Sequence, residues 1–199
     1  ITLKTHNLDG RYANRSILID SSGVVVAQYD KIHMFDINLS ATERYHESRS
    51  YRPGNSAVLA QTTWGWMGLS ICYDLRFPTL YRTWAQAGAG VLVVPSAFAQ
   101  TTGEAHWHVL LRARAIETGC FVIAAAQTGE HSGSGRKTYG HSLIVDPWGQ
   151  VILDAGQVPG LYFAKLDLSS VDKARARMAS LQHDRPFEVR YYPSHDKSD

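Results

Sequence analysis

The residue best suited to nucleophilic chemistry in this sequence is Cys72, which ends the apolar run Gly68–Cys72. A cysteine at the end of a strand, followed by a loop and a helix, stands where α/β folds often place reactive groups. Most cysteines are small buried hydrophobes, and Cys120, with apolar residues after it, fits that description. The neighbours Asp74 and Arg76 set Cys72 apart, because a purely packed cysteine needs no charged flanks. We therefore predict that Cys72 is the nucleophile.

A second candidate, Lys31, ends another predicted strand. An ammonium group near Cys72 would favour the thiolate. It would also stabilise the oxyanion that forms when the thiolate attacks a carbonyl group. A lysine at this place can instead be solvated. His33 is a possible base in a Cys–His arrangement, although nothing local distinguishes it from a hydrogen-bonded structural histidine.

Two further groups of polar residues have simpler interpretations. His106 and His108 suggest a metal site, but side chains two positions apart on a helix diverge, and no nearby set completes four ligands. The prediction is that the protein binds no metal and no cofactor. Asp74 and Arg76 are interpreted as a structural pair that shapes the loop after Cys72.

These residues need elements that hold them in place, and alternating strands and helices predict an α/β layered domain. Predicted helices cover Pro78–Ala87, Ala105–Thr118, whose apolar face would be Val109, Leu110, Ala113 and Ile116, and Ser169–Ala179, opened by a serine cap. The residues between Lys31 and Gly54 predict a long loop, and residues 184–199 an extended arm. Predicted strands are Ile17–Asp20, Val24–Lys31, Ala57–Gln61, Trp66–Tyr73, Val91–Val94, Phe121–Ala126, Gly140–Asp146, Gln150–Asp154 and Leu161–Asp167.

Composition limits the classes of protein that fit. The 199 residues favour a single domain, 1–199, and the net charge of +2 argues against nucleic-acid and membrane partners. Two cysteines exclude a disulfide framework, and together they favour a reduced, cytoplasmic setting. Because the sequence begins with Ile1 and not with Met, we expect the fold to be incomplete at the N-terminus.

Six motifs occur in an order that resembles the nitrilase superfamily of carbon–nitrogen hydrolases, from about Arg11 to Pro186. The similarity is greatest to its amidase branch, around deaminated glutathione amidase and ω-amidase. The motifs are Tyr29–Asp36, Gly68–Pro78, Pro95–Phe98, Thr102–Trp107, Arg112–Glu117 and Gly140–Gly149. Several separated motifs in the right order carry far more information than one short pattern.

The resemblance implies a nitrilase-type αββα four-layer sandwich that forms a homodimer or a higher homo-oligomer. It implies that Cys72 is the nucleophile, that Lys31 is the catalytic lysine, and that Glu47 is a second glutamate near the site. The Lys31 ammonium and the backbone N–H of Tyr73 would then hold the oxyanion. The family's first glutamate, its general base, has no counterpart here, because in relatives it lies several tens of residues before the lysine.

The function implied is hydrolysis of a small carboxamide to a carboxylate and ammonia. By resemblance, His106 lines the pocket and the loop Gly129–Tyr139 lies at its mouth. We predict that Arg136 or Lys137 pairs there with a substrate carboxylate, as in an ω-amide of a dicarboxylic or 2-oxo acid. One alternative is an inactive fragment or a pseudoenzyme with a scaffold role. Another is a nitrilase or an N-carbamoyl-amino-acid hydrolase, which would share the triad and differ in pocket shape.

Overall fold

The computed structural model describes residues 2–4, 9–40, 43–133 and 135–192. Three α-helices, α1 (Pro78–Gln86), α2 (Gln100–Thr118) and α3 (Ser169–Arg177), accompany thirteen strands in this part of the chain. The strands are β1 (Thr2–Lys4), β2 (Tyr12–Ile19), β3 (Val25–Asp30), β4 (Asp36–Asn38), β5 (Arg44–His46), β6 (Val58–Thr62), β7 (Gly65–Leu69), β8 (Ala89–Val93), β9 (Phe121–Ala124), β10 (Thr128–Glu130), β11 (Lys137–Tyr139), β12 (Leu143–Val145) and β13 (Val151–Asp154).

The largest sheet has six strands in the spatial order β13–β12–β9–β8–β7–β6. Its centre is parallel, since β8 runs parallel to both β7 and β9, and the outer pairs are antiparallel. Strands in a parallel centre are usually covered on both faces, which explains the continuous apolar runs of β8 and β9. The mixed α/β fold class is therefore as predicted.

Alternation along the central strands sends side chains to opposite faces of this sheet. Leu92 and Val122 belong to the main core, which also contains Trp84 of α1 and Leu111 of α2. Val91 and Phe121 belong to a smaller cluster with Val171 of α3. The helices α1 and α2 therefore cover one face of the sheet, and α3 packs on the other.

The helix α2 begins five residues earlier than predicted and buries a different face. Its buried apolar side chains are Trp107, Leu111 and Ala115, spaced four residues apart, whereas Val109 is 67% exposed and Ile116 is 52% exposed. The predicted apolar face was wrong for Val109 and Ile116 and correct for Leu110, which packs against the core. The helix carries two apolar stripes, and the one with the large Trp107 indole packs into the core. The helix ends before Gly119, whose φ of 60° suits glycine, as predicted.

A smaller antiparallel sheet, β1–β2–β3, carries the strand that leads to Lys31. The stretch between Lys31 and Gly54 is not the structureless loop that was predicted. It folds into the short hairpin β4–β5 and a 3₁₀ turn, Glu47–Arg49, because main-chain hydrogen bonds join Asp36–Asn38 to Arg44–His46. By reversing the chain direction, this hairpin brings Glu47 next to Lys31.

Two predictions near the C-terminus need correction. The segment Leu161–Asp167 forms no strand, because no described strand pairs with it, and Leu161 and Phe163 are 88% and 85% exposed. Helix α3 has no serine cap, since Ser169 is its first residue and follows Leu168 at the N-cap position, and the nearby Asp167 carboxylate accepts the Ser169 N–H at 3.1 Å. Of the predicted arm, residues 184–192 are exposed and without helix or strand, and residues 193–199 lie outside the described part.

Among the residues that the structure describes, no helix combines the length and the apolar character needed to cross a membrane.

Candidate active site

The turn that carries Cys72 follows directly from strand β7. The strand ends at Leu69, and a 3₁₀ turn begins at Cys72 and runs to Arg76. The Cys72 N–H donates to the Pro95 carbonyl at 3.0 Å, which joins this turn to the end of β8. Cys72 has a φ of 51°, a left-handed conformation that costs a non-glycine residue about 1 kcal/mol or more. The hydrogen bond to Pro95 helps to hold the backbone of Cys72 in this conformation.

Lys31 lies just after strand β3 and is 3% exposed. Its Nζ is 2.5 Å from Oε2 of Glu47, and the same oxygen accepts the backbone N–H of Phe35 at 2.7 Å. The other carboxylate oxygen accepts the side-chain amide of Asn14 at 3.2 Å. A buried ammonium is tolerated only with such partners, and removal of either charge would leave the other uncompensated.

Cys72, Lys31 and Glu47 border one cavity of about 1190 Å³. Tyr73 borders it as well, so the sequence-predicted nucleophile, lysine and second glutamate lie around the same cavity. Among the described residues, Glu47 is the single carboxylate that borders this cavity. Within the described part of the chain, the Tyr73 N–H has no main-chain acceptor outside its own turn, as expected at the start of a helical turn.

The environment of the Cys72 thiol has opposing electrostatic effects. Burial raises the pKa of Cys72, and this effect outweighs the Lys31 ammonium, which lowers it. Hydrogen bonds from the Ala97 backbone and from Ser96 also lower the pKa, while the Glu47 charge raises it. The lysine therefore favours the thiolate, as predicted, but does not by itself produce one. The free thiol predominates near neutral pH, and its reaction needs a base.

The buried carboxylate of Asp74 connects the segment around Lys31 with the turn that carries Cys72. Its oxygens accept the Ile71 N–H at 2.9 Å and the His33 N–H at 3.0 Å, and the His33 ring nitrogen Nδ1 lies 2.8 Å away. The Tyr29 hydroxyl donates to it at 2.7 Å. The predicted pair of Asp74 with Arg76 was therefore wrong. His33 stacks on Phe77 with ring centroids 3.5 Å apart and does not border the cavity, so it is structural.

His106 does not lie where the resemblance implied. It is exposed on α2 and does not border the cavity, and its Nδ1 lies 3.3 Å from Nη1 of Arg76. The Arg76 guanidinium also lies over the rings of Tyr73 and Phe98, at 5.9 and 5.4 Å. Aromatic stacking and the His106 contact thus replace the expected pairing of this arginine.

Arg136 and Lys137 both border the cavity. Lys137 begins β11, which pairs with β10 in a hairpin, and Arg136 directly precedes it. The Arg136 guanidinium lies 4.5 Å from the centroid of the Tyr45 ring, on the β4–β5 hairpin. Lys137 is largely exposed and lies 3.8 Å from Glu130.

Sequence reasoning missed several residues at this site. Asn14, His46 and His131 all border the cavity. Asn14 could not have been found, since it is an ordinary polar residue on a strand and its contact with Glu47 spans 33 positions. Away from this cavity, His108 was considered with His106 as a possible metal ligand, but its actual neighbours, His141 and Asp154, were not found; one ligand atom from each of His108, His141 and Asp154 lies within 4.8 Å of the other two.

Comparison with known proteins agrees with this geometry. A family model described as carbon–nitrogen hydrolase matches residues 4–176. A deaminated glutathione amidase from Synechocystis sp. is 47% identical over 176 residues, which cover 87% of this chain and 64% of the relative. Among solved structures, the C. elegans NitFhit protein has a TM-score of 0.85 and 43% identity, over 92% of this chain and 44% of that one.

A further solved structure is an amidase from Nesterenkonia sp. AN1, a mutant with covalent addition of the acetamide moiety of fluoroacetamide at the active-site cysteine. It is 27% identical with a TM-score of 0.72, and the match covers 90% of this chain and 64% of that chain. This chain spans less than two thirds of the length of each of these relatives. The similarities confirm the predicted nitrilase-type α/β fold. The chain belongs to the carbon–nitrogen hydrolase family of the nitrilase superfamily.

Proposed function

We propose that the protein hydrolyses a small carboxamide to a carboxylate and ammonia, with Cys72 as the nucleophile. The observation that carries this proposal is the buried Lys31–Glu47 pair, which borders the same cavity as the strained Cys72. A cavity that joins a cysteine, an ammonium and a carboxylate suits acyl transfer through a covalent intermediate.

In the first half of the reaction, a base takes the proton from the Cys72 sulfur as the sulfur attacks the amide carbon. A carbon–sulfur bond forms and the carbonyl electrons move to oxygen, where the Lys31 ammonium and the Tyr73 N–H stabilise the negative charge. One such donor contributes about 3–4 kcal/mol to the transition state. The carbon–nitrogen bond then breaks, and the protonated base gives its proton to the nitrogen, which leaves as ammonia.

In the second half, water attacks the thioester carbon and the same base takes the water proton. The carbon–sulfur bond breaks, the carboxylic acid leaves, and Cys72 regains its proton. The product acid gives its remaining proton to ammonia, so the sum is amide plus water to carboxylate and ammonium, with no net change in the protein.

Glu47 is better suited to fix Lys31 than to act as this base. Both of its oxygens already accept hydrogen bonds, from Lys31, Phe35 and Asn14. The raised pKa of the thiol makes a base necessary. We assign that role to the family's first glutamate, a residue outside the 199 described by this sequence.

The proposed substrate is an amide that also carries a carboxylate, such as an ω-amide of a dicarboxylic or 2-oxo acid. Arg136 and Lys137 border the cavity and supply positive charge beside it. The Synechocystis relative is named deaminated glutathione amidase, which supports the same class. A homodimer, implied by the sequence resemblance, and a cytoplasmic location, favoured by the count of two cysteines, are further parts of this proposal.

The test is made on the full-length natural protein. Wild type, Cys72→Ala and Cys120→Ala are incubated with deaminated glutathione, α-ketoglutaramate and a simple nitrile, and released ammonia is measured. We expect ammonia from the amides, none from Cys72→Ala, and near wild-type rates from Cys120→Ala. Intact-protein mass spectrometry of acid-quenched samples should show an acyl adduct on wild type and on Cys120→Ala, and none on Cys72→Ala. Turnover by Cys72→Ala would refute the mechanism, and turnover of the nitrile alone would refute the substrate class.

A further inference from the structure

The structure brings together a second set of reactive side chains, away from the cavity. His108 extends from α2, His141 precedes β12, and Asp154 is the last residue of β13. The His108 Nε2 lies 3.0 Å from Oδ2 of Asp154, and the His141 Nδ1 lies 2.9 and 3.1 Å from its two oxygens. One potential ligand atom from each residue lies within 4.8 Å of the other two. None of the three residues borders the cavity beside Cys72.

We propose that His108, His141 and Asp154 bind one divalent transition metal ion, with zinc as the best match. Two imidazoles and one carboxylate form a donor set that suits zinc, cobalt or nickel, and is poorly suited to calcium or magnesium, which prefer oxygen ligands. The set would leave one position of a tetrahedral zinc open for water.

The distances fit such an ion after a small movement. Ligand atoms around tetrahedral zinc are about 3.4 Å apart, given zinc bonds of about 2.0–2.2 Å. The His108 Nε2 and the His141 Nδ1 lie 3.0 and 3.1 Å from the same Asp154 oxygen, Oδ2, a little below this value. The ion therefore needs mainly a closer approach of the two ring nitrogens, which lie within 4.8 Å of each other. The partial exposure of all three side chains leaves a path for the metal.

The surroundings of the cluster hold two of the three groups in place. The Gly156 N–H donates to Asp154 at 2.9 Å, and the His141 N–H donates to the Gly156 carbonyl at 2.7 Å. The Trp107 indole donates to the His141 carbonyl at 2.7 Å, and the Tyr139 ring stacks on the His141 ring with centroids 4.3 Å apart. Contacts of this kind orient metal ligands and commonly decide affinity.

The backbone of His141 gives an independent indication. Its φ is 55°, and among the described residues Cys72 is the single other non-glycine residue with a positive φ. This conformation costs a non-glycine residue about 1 kcal/mol or more, and it tends to occur at binding and catalytic sites. Here it directs the imidazole of His141 towards Asp154 and His108. A metal at this point would join α2 to the β12–β13 edge of the sheet, and its binding does not depend on the amide chemistry.

The test uses the full-length natural protein with Cys72→Ala as the parent, because a reactive thiol would itself bind the metal. Isothermal titration calorimetry with Zn²⁺, and visible absorption with Co²⁺, are measured for the parent, for His108→Gln and for Asp154→Asn. We expect one ion per chain in the parent, a cobalt band typical of four-coordination, and affinity at least about tenfold lower in both variants.

The matched control is His183→Gln, which removes an exposed histidine elsewhere and should leave binding unchanged. Thermal unfolding is also measured with and without Zn²⁺, so that each variant is compared with itself even where the substitution weakens the fold. Zn²⁺ should raise the unfolding temperature of the parent and of His183→Gln, and should not raise that of His141→Gln. Absence of stoichiometric binding by the parent would overturn the proposal, as would equal affinity in the parent, His108→Gln and Asp154→Asn.

Discussion

The Tyr29 hydroxyl donates a 2.7 Å hydrogen bond to Asp74, and both side chains are wholly buried. Tyr29 lies two residues before Lys31, and Asp74 lies two residues after Cys72. The same carboxylate accepts the N–H groups of Ile71 and His33. The strand end that carries the lysine and the turn that carries the cysteine are thus tied to one buried charge.

Asp74→Asn is expected to destabilise the protein and to slow catalysis. The amide NH₂ of asparagine would face groups that donate hydrogen bonds, so buried donors would lose their acceptor. A loss of about 3 kcal/mol in the free energy of unfolding is expected, measured by urea denaturation. The matched control is Tyr29→Phe, which removes one of the hydrogen bonds and should cost about 1 kcal/mol. Equal small losses in both variants would contradict this role of Asp74.

The rate of Cys72 alkylation should depend on pH in a direction set by burial. Because burial raises the pKa of Cys72, the thiolate forms above the pH at which an ordinary cysteine ionises, and iodoacetamide labelling should accelerate only there. Lys31→Met removes a charge that lowers this pKa, so the midpoint of the pH–rate curve should move to higher pH. Peptide mapping at each pH gives the rates.

The control for that experiment is Lys137→Met, which removes a largely exposed ammonium beside the same cavity and should leave the midpoint almost unchanged. Cys120 serves as an internal reference. It is wholly buried and burial also raises its pKa, so Cys72 should be labelled well before it. Labelling of both cysteines at one rate in the folded protein would count against a distinct Cys72.

Glu47→Gln should lower kcat by at least about tenfold, because loss of the negative charge leaves the buried Lys31 ammonium without its counter-ion. Glu43→Gln is the matched control, since Glu43 hydrogen-bonds Tyr45 and does not border the cavity. Steady-state kinetics on one amide compare the two. Near wild-type kcat in Glu47→Gln would show that the carboxylate is not needed to fix Lys31.

Sequence patterns predicted the elements whose burial leaves a strong periodic signal. The strands β3, β8 and β9 and the position of Lys31 just after β3 were predicted in the right places. The strand predicted over Trp66–Tyr73 was too long, because β7 ends at Leu69 and Cys72 begins a 3₁₀ turn. Periodicity failed where one helix has two apolar stripes and either could be the buried one. On α2, Val109 and Ile116 belong to the stripe that faces solvent. It also failed for Leu161–Asp167, because alternation cannot show whether a partner strand is present.

Side-chain partners were much harder to predict than elements. Asp74 was assigned to its near neighbour Arg76, yet its actual partners, Tyr29 and His33, are more than 40 positions away. Asp154 meets His108 across 46 positions in the same way. Such contacts depend on how sheets and helices pack, and a single sequence contains no local signal for them.

The last prediction concerns the charge of the substrate. Arg136 lies over the Tyr45 ring beside the cavity, where its guanidinium could bind a carboxylate in two places. Because this contact would act on binding and not on the reacting carbon, Arg136→Ala should raise KM for an anionic ω-amide by about tenfold or more, with little change in kcat. For a neutral amide of similar size, KM should barely change. Arg136→Lys keeps the charge but loses the planar fork, so its KM for the anionic amide should fall between those of the wild type and Arg136→Ala. Lys137→Ala tests whether the neighbouring ammonium contributes. Kinetics of the four proteins on both amides would decide the matter, and equal effects of Arg136→Ala on the two substrates would mean that this hairpin does not recognise the carboxylate.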